Sequence, residues 1–222
     1  VRRGIGRGYL AVPGIEALTP EDVRSVPRIA GAVSYWSGHR RGDEWLREVL
    51  EEWGQAGFTA RKDGELLGFA LYGPRSRLVR VEEYPIGPLE EGRVFLAYAE
   101  GDARIRRHLL VRVLGDLKGR GVGGVDAIAS DLGTGWHLPT RFLLECGWRP
   151  VRQGWKGGQL YTLVRTDLAS SVEVRELARG LLGRVKMPSL KPRGGLIPGT
   201  LTRSRPASEH LEKAGTGCGY IA

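Results

Sequence analysis

VFLAYAEGDARIRRHLLVRVLGDLKGRGVGGVDAIA, residues 94–129, decides the architecture of this chain. Val94–Ala99 is a short apolar run, the pattern of a buried strand. Over Arg104–Lys118 the period changes. Ile105, Leu109, Leu110, Val113, Leu114 and Leu117 fall on one stripe of a helix, with Gly119 and Gly121 beside its C-terminus. Val125–Ala129 is a second buried strand. A helix between two buried strands predicts a right-handed parallel crossover.

Outward toward the N-terminus, Phe58–Lys62 and Glu65–Tyr72 read as strands joined by Asp63-Gly64. That dipeptide marks a hairpin, because a type I′ turn needs positive φ at both central residues. Leu67, Phe69 and Leu71 alternate and are expected to face the core together. Ile15–Leu18 reads as a strand. Thr19-Pro20-Glu21-Asp22 reads as a helix start, with a hydroxyl cap, Pro in the first turn and acids on the positive end of the dipole. A loop containing Tyr35-Trp36 follows. Asp43 is then expected to cap a helix carrying Trp45, Leu46, Val49, Leu50 and Trp53, stopped by Gly54. Residues 75–92, with Pro85, Gly87, Pro88 and Gly92, read as a connecting loop.

Toward the C-terminus, Pro139–Glu145 reads as a short helix with Phe142, Leu143 and Cys146 inward, stopped by Gly147. Trp148–Arg152 and Leu160–Arg165 read as the last two strands, linked by a Gly-rich loop over Gly154–Gly158. The order is β, helix, helix, β, β, β, helix, β, helix, β, β. It predicts a mixed-sheet α/β (α+β) domain rather than a doubly wound nucleotide fold. The expected organisation is a basic extension over 1–8, the domain over 9–168, and an amphipathic helix over 169–186 (Val172, Leu177, Leu181, Leu182, Val185). Residues 187–222, rich in Pro, Gly, Ser, Thr and Arg, read as a disordered basic tail.

Composition narrows the function classes. The chain has 222 residues, 41% hydrophobic and 27% charged, a globular balance. It lacks an apolar run of the roughly 20 residues needed to cross a bilayer, and its start lacks the apolar core of a signal peptide, so a soluble cytoplasmic protein is expected. The net charge of +9 is concentrated at the ends; residues 9–168 carry 22 basic against 21 acidic side chains. That distribution argues against a nucleic-acid-binding face. The 2 cysteines lie far apart and the 4 histidines form no i, i+4 pair, so neither a disulfide framework nor a metal site is expected.

The order of elements resembles that of the GNAT N-acetyltransferase superfamily. Arg107–Val122 looks like the family's first core helix and its exit. Leu138–Trp148 looks like the second, which in the family usually ends in Gly-Phe. Tyr35-Trp36, Trp53-Gly54 and Tyr161–Leu168 are similar to uncharacterised actinobacterial members. The resemblance covers roughly residues 15–185. It implies acetyl-CoA as cosubstrate, an amine on a small molecule or a protein as acceptor, and often a homodimer. It also implies a splayed pair formed by the strands at Val94–Ala99 and Val125–Ala129. The pantetheine arm would meet the backbone at Leu96, Ala97 and Tyr98, and the pyrophosphate would sit at the following helix start, at Arg104, Ile105, Arg106, Arg107 and His108.

The pyrophosphate loop departs from the family pattern R/Q-x-x-G-x-G/A. The aligned residues are Gly101-Asp102-Ala103-Arg104-Ile105-Arg106, with arginine at both glycine positions. Arginine there either crowds the approach of phosphate or binds it directly through the guanidinium. The family's proton-donating Tyr in the second helix is matched by Leu143. Acyl transfer needs a base for the incoming ammonium and a donor for the leaving thiolate. Glu100 is the candidate base, with Tyr98 on the same face as its polar partner. Asp131 is a weaker candidate, and Trp36, Trp136 and His137 are candidate linings of an acceptor pocket. The expected function is N-acetyl transfer from acetyl-CoA to an amine. The alternative is a catalytically degenerate module of the same fold that binds or senses CoA or another anion.

Overall fold

A computed structural model describes residues 13–87, 89–133 and 135–168; the expectations for 1–8, 169–186 and 187–222 fall outside the described residues. Eight strands form one mixed sheet in the order β1-β2-β3-β4-β5-β8-β7, with a short β6 paired to β5. The strands are β1 (Gly14–Ala17), β2 (Gly57–Lys62), β3 (Glu65–Pro74), β4 (Val94–Glu100), β5 (Gly124–Ser130), β6 (Leu138–Pro139), β7 (Arg149–Lys156) and β8 (Gln159–Asp167). The long helix α4 (Ala103–Gly119) joins β4 to the parallel β5, as the sequence predicted, and α5 (Thr140–Glu145) packs on β8 and β5. Helices α1 (Pro20–Ser25), α2 (Pro27–Ser37) and α3 (Gly42–Trp53) lie between β1 and β2 in the chain.

Two apolar layers sandwich the sheet. One packs Leu109, Leu110, Val113 and Leu117 of α4 with Phe142 and Leu143 of α5 against Val94, Leu96, Val125 and Val164. The other packs Ile29, Val33 and Trp36 of α2 and Trp45, Leu46 and Val49 of α3 against Phe69, Leu71, Phe95 and Ile128. Trp36 and Trp45 are fully buried, and each indole N–H finds a carbonyl: Trp36 donates to Trp136 O at 3.1 Å, Trp45 to Arg77 O at 3.0 Å. A buried indole with its donor satisfied contributes its whole apolar area.

Local chemistry explains most boundaries. Thr19 caps α1 reciprocally with Asp22, and Pro20 occupies the first turn. The Asp63-Gly64 turn has φ of 51° and 83°, as a type I′ turn requires.

Several expectations are corrected. The segment with Tyr35-Trp36 is helix α2, not a loop. Pro27 opens it, Gly38 ends it at φ 74°, and Ile29, Ala32, Val33 and Trp36 bury one face. Gly31 and the serines obscure that period, yet Gly31 is needed, since a Cβ there would lie 2.7 Å from the Trp136 ring. Asp43 does not cap α3; Arg41 holds the cap position and Asp43, inside the first turn, pairs with Arg47 at 3.1 Å. Leu67 does not share a face with Phe69 and Leu71. The register shifts from Ala60↔Gly68 to Arg61↔Leu66, so Leu67 is a bulge residue and packs on the α4 layer. Residues 75–92 include short 3₁₀ turns at Arg75–Arg77 and Val79–Glu83, with Leu78 buried between them and Val81 buried in the second. Pro139 belongs to β6 and α5 starts at Thr140. The last hairpin turns at Gly157-Gly158 alone; Gly154 lies inside β7, where a Cβ would meet Pro85 O at 2.4 Å.

One buried ion network holds the closed end of β4 and β5. Asp126 on β5 accepts from Arg165 Nε at 2.8 Å and Nη2 at 2.9 Å, and from Arg93 Nε at 2.8 Å. Arg93 also holds Asp167 and the carbonyl of Thr166, both at 2.9 Å. The Asp126 side chain is 3% exposed. Removing one member of such a network strands the others away from water. Asp126→Ala is therefore expected to lower unfolding stability by about 3–5 kcal/mol, measured by urea denaturation. A loss below about 1 kcal/mol would show that the two guanidinium groups reach solvent instead.

Candidate active site

β4 and β5 pair only at Val94↔Val125, Phe95↔Asp126 and Leu96↔Ala127. β8 covers the opposite edge of β5 along its whole length, from Gly124 to Ser130. Leu138 and Pro139 of β6 must therefore meet Ala129 and Ser130 on the edge that β4 has left. A wedge opens between the two strands, with Ala97–Glu100 of β4 along one side. The pairing of β4 with β3 contributes. Leu71 opposes Tyr98 while Tyr72 opposes Leu96, which leaves Ala97 as an extra residue. A one-residue bulge bends a strand and re-aims its side chains. Here Ala97 and Tyr98 both turn toward the α2–α3 layer, whereas Leu96 and Ala99 pack on the α4 layer.

Tyr98 and Glu100 lie on the α2 side of the wedge, brought together as the two-residue spacing predicted. The Tyr98 ring packs against Phe69, with centroids 5.8 Å apart, and edge-on to Trp136 at 5.5 Å. Glu100 Oε1 accepts from Arg28 Nη1 at 2.7 Å, while Arg28 Nη2 donates to Leu66 O at 3.1 Å. Burial first, then the Glu100 charge, push the Tyr98 phenol above its ordinary pKa of 10.0, and the Arg106 charge opposes them. Tyr98 therefore stands as a neutral O–H at neutral pH, able to donate a proton.

The α4 side holds the arginines. Asp102 caps α4, its Oδ1 accepting from the Ile105 N–H at 2.8 Å. The Arg106 N–H returns to Asp102 O at 2.9 Å. Ile105 itself is buried, which removes both its side chain and its N–H from the groups free to meet a ligand. Gly101 has φ +122°, and a Cβ there would lie 2.7 Å from Ile105 Cγ2. The long side chain of the resembled loop would be strained at this position.

Arg106 takes the same face of α4 as Leu109 and Val113, and its guanidinium lies 4.5 Å from the centroid of the Phe142 ring on α5. Its Nε is buried without a hydrogen bond, and so is that of Arg104. Among the described residues neither arginine forms an ion pair. Buried donors without acceptors are rare, and a guanidinium N–H is suited to an anionic oxygen. Arg107 is shared between Phe142, at 5.9 Å, and Glu145, at 3.7 Å. Burial, then the Arg104 charge, lower the His108 pKa below 6.5, so its imidazole is neutral at physiological pH.

The other candidates scatter. Asp131 is exposed in the turn after β5. His137 is buried among Tyr35, Trp36, Tyr84 and Tyr161, and with Trp36 it belongs to the interior rather than to the wedge. Trp136 alone of that group flanks Tyr98. Leu143 is fully buried and carries no proton to give. Burial raises the neighbouring Cys146 thiol to about 11, with Arg107 opposing, which leaves it protonated. Among the described residues no cluster of His, Cys, Asp or Glu could hold a metal, and no helix is long and apolar enough to cross a membrane. Sequence reasoning missed Arg28 and the capping role of Asp102. An Asp three residues before a core-facing Ile at a helix start was a readable signal for the cap; Arg28 reaches Glu100 only through the fold.

No protein-family model matches the chain, and no curated protein is significantly similar to it in sequence. Solved structures are similar to it in fold. yncA of Salmonella typhimurium, solved with its cofactor acetyl-CoA, superposes with a TM-score of 0.52 and 16% identity over 72% of this chain and 95% of its own. An N-acetyltransferase from Staphylococcus aureus Mu50 gives 0.51 and 16%, over 70% and 98% of the two chains. A ribosomal-protein-alanine N-acetyltransferase from Brucella melitensis gives 0.50 and 18%, over 70% and 99%. The class these observations define is the GNAT fold: a mixed sheet flanked by helices, with one parallel pair splayed at its centre.

The charges around Tyr98 make a signed prediction. Glu100→Gln removes a negative charge that disfavours the phenolate, so Tyr98 should titrate at lower pH than in the native chain. Arg106→Ala removes the opposing charge, so Tyr98 should titrate higher. Ultraviolet difference titration against Tyr98→Phe reads both shifts, and shifts of equal sign would contradict the arrangement.

Proposed function

We propose that this chain is an N-acetyltransferase that moves an acetyl group from acetyl-CoA to an amine of a small molecule or a protein. The observation that carries the reading is the loss of β4–β5 pairing after Leu96↔Ala127, beside two arginines with unpartnered Nε groups. The open backbone of Ala97–Glu100 suits the amides of a pantetheine arm, since an unpaired strand edge needs donors and acceptors. Arg104 and Arg106 suit the diphosphate, replacing backbone approach with charge-assisted hydrogen bonds.

The chemistry follows from which groups hold protons. Glu100 takes the proton of the acceptor ammonium, and the freed nitrogen attacks the thioester carbonyl. The C–N bond forms and the C–S bond breaks. The neutral Tyr98 O–H gives its proton to the departing sulfur and regains one from the new amide nitrogen. Arg28 positions the Glu100 carboxylate by holding Oε1 and anchoring itself on Leu66 O.

A second reading, an anion-binding module of the same fold without turnover, is favoured by specific features. The Asp102 carboxylate occupies an amide at the helix start where phosphate would bind, and Leu143 stands where the family's proton donor would be.

Calorimetry with acetyl-CoA separates these readings. We expect micromolar binding, weakened roughly tenfold or more by Arg106→Ala, the loss of one charge-assisted hydrogen bond. Asp102→Asn should bind as well as the native chain or better. In an amine-acceptor screen read by free thiol release, Glu100→Gln should bind acetyl-CoA normally and turn over about 100-fold more slowly. Binding without thiol release across the screen would support the second reading. No binding at millimolar acetyl-CoA would sink the acetyltransferase reading and leave the second only for an anion other than CoA.

A further inference from the structure

A second cavity lies away from the wedge, beside the paired end of β4. It has a volume of about 690 Å³ and an apolar floor of Trp53, Pro74, Val79, Val94 and Val122. Its rim carries Glu82, Glu90 and Glu91, with Arg75 and Arg93 among them. Most of these charges pair locally: Arg75 with Glu82, Glu90 with Arg165, and Arg93 with Asp126 and Asp167, which leaves Glu91 as the rim charge outside an ion pair among the described residues. Val79 on the floor is 52% exposed, one of the few large apolar side chains so open among the described residues.

The chain leaves the described domain at the border of this groove. The Leu168 N–H donates to Gly123 O at 2.9 Å, next to Val122 of the floor. Arg93, a lining residue, holds the Thr166 carbonyl and the Asp167 carboxylate just before the exit. The following 18 residues, 169–186, place Leu177, Leu181 and Val185 at i, i+4 and i+8, one face of a helix. Such a helix would be about 27 Å long, enough to lie along the groove from that starting point. The segment is basic, with Arg175, Arg179, Arg184 and Lys186 against Glu173 and Glu176, opposite in sign to Glu91 on the rim.

We propose that the segment 169–186 of the same chain docks as an amphipathic helix in the groove formed by Trp53, Pro74, Val79, Val94 and Val122. Leu177, Leu181 and Val185 cover the apolar floor, and Arg184, which flanks that stripe, approaches Glu91. The groove adjoins the Asp126 network and not the wedge, so this inference is independent of the proposed acetyl transfer.

The test uses the full chain with a photo-crosslinking phenylalanine analogue at position 181, the products mapped by mass spectrometry. Cross-links within one chain to Trp53, Val79 or Val122 are expected. A covalent dimer, which would make a second copy the occupant, overturns the proposal, as does a cross-link elsewhere or none at all. Thermal denaturation gives an independent readout. Val79→Asp and Leu181→Asp should each lower Tm by about 4 °C. The double variant should lose little more than either alone, since both break one contact. Additive losses, or no loss from Val79→Asp, overturn it.

Discussion

The buried carboxylate of Asp126 sets the geometry on which the wedge depends. It ties the start of β4, through Arg93, to β5 and, through Arg165, to β8. Parallel strands pinned at one end can separate at the other without the sheet coming apart, provided each freed edge is handled. β5 is handled by β6, which pairs with Ala129 and Ser130. β4 is bent away by the bulge at Ala97, and its edge remains open. Exposed strand backbone of this kind must be met by water or by a ligand.

The two faces of the wedge carry opposite chemistry. On the α2 side a carboxylate and a protonated phenol stand together, with Arg28 steadying the carboxylate and Trp136 closing over the phenol. On the α4 side the guanidinium groups dominate, and Arg106 turns inward over Phe142 rather than outward to solvent. The carboxylate–phenol pair and the guanidinium groups thus lie on opposite faces of the sheet, near enough for the Arg106 charge to act on Tyr98.

The helix start of α4 departs from the loop it resembles at several adjacent positions. In the resembled loop, glycines let phosphate approach free amides. Here Asp102 satisfies the Ile105 amide, and Gly101 adopts a positive φ at which a side chain would be strained. With a carboxylate at the helix start, positive charge must come from side chains if an anion is to bind nearby. Arg104 and Arg106 supply it, at the two positions where the resembled loop has glycine.

The sequence by itself pointed to the crossover, because six apolar residues on one stripe between two buried runs predict a helix packed on a parallel pair, as β4 and β5 form. It also fixed the Asp63-Gly64 turn and the shared face of Tyr98 and Glu100, which follow from local φ preferences and the two-residue period. What it left undecided depends on contacts between distant residues. Helix α2 is held by packing of Trp36 and Gly31 against a loop a hundred residues later, which outweighs its weak local propensity. The bulges at Leu67 and Ala97 change register without changing composition. The Arg28–Glu100 pair and the inward turn of Arg106 exist only once α2 and α5 have closed on the sheet. Periodicity reports which face a residue takes within its own element. Only tertiary packing decides what that face meets.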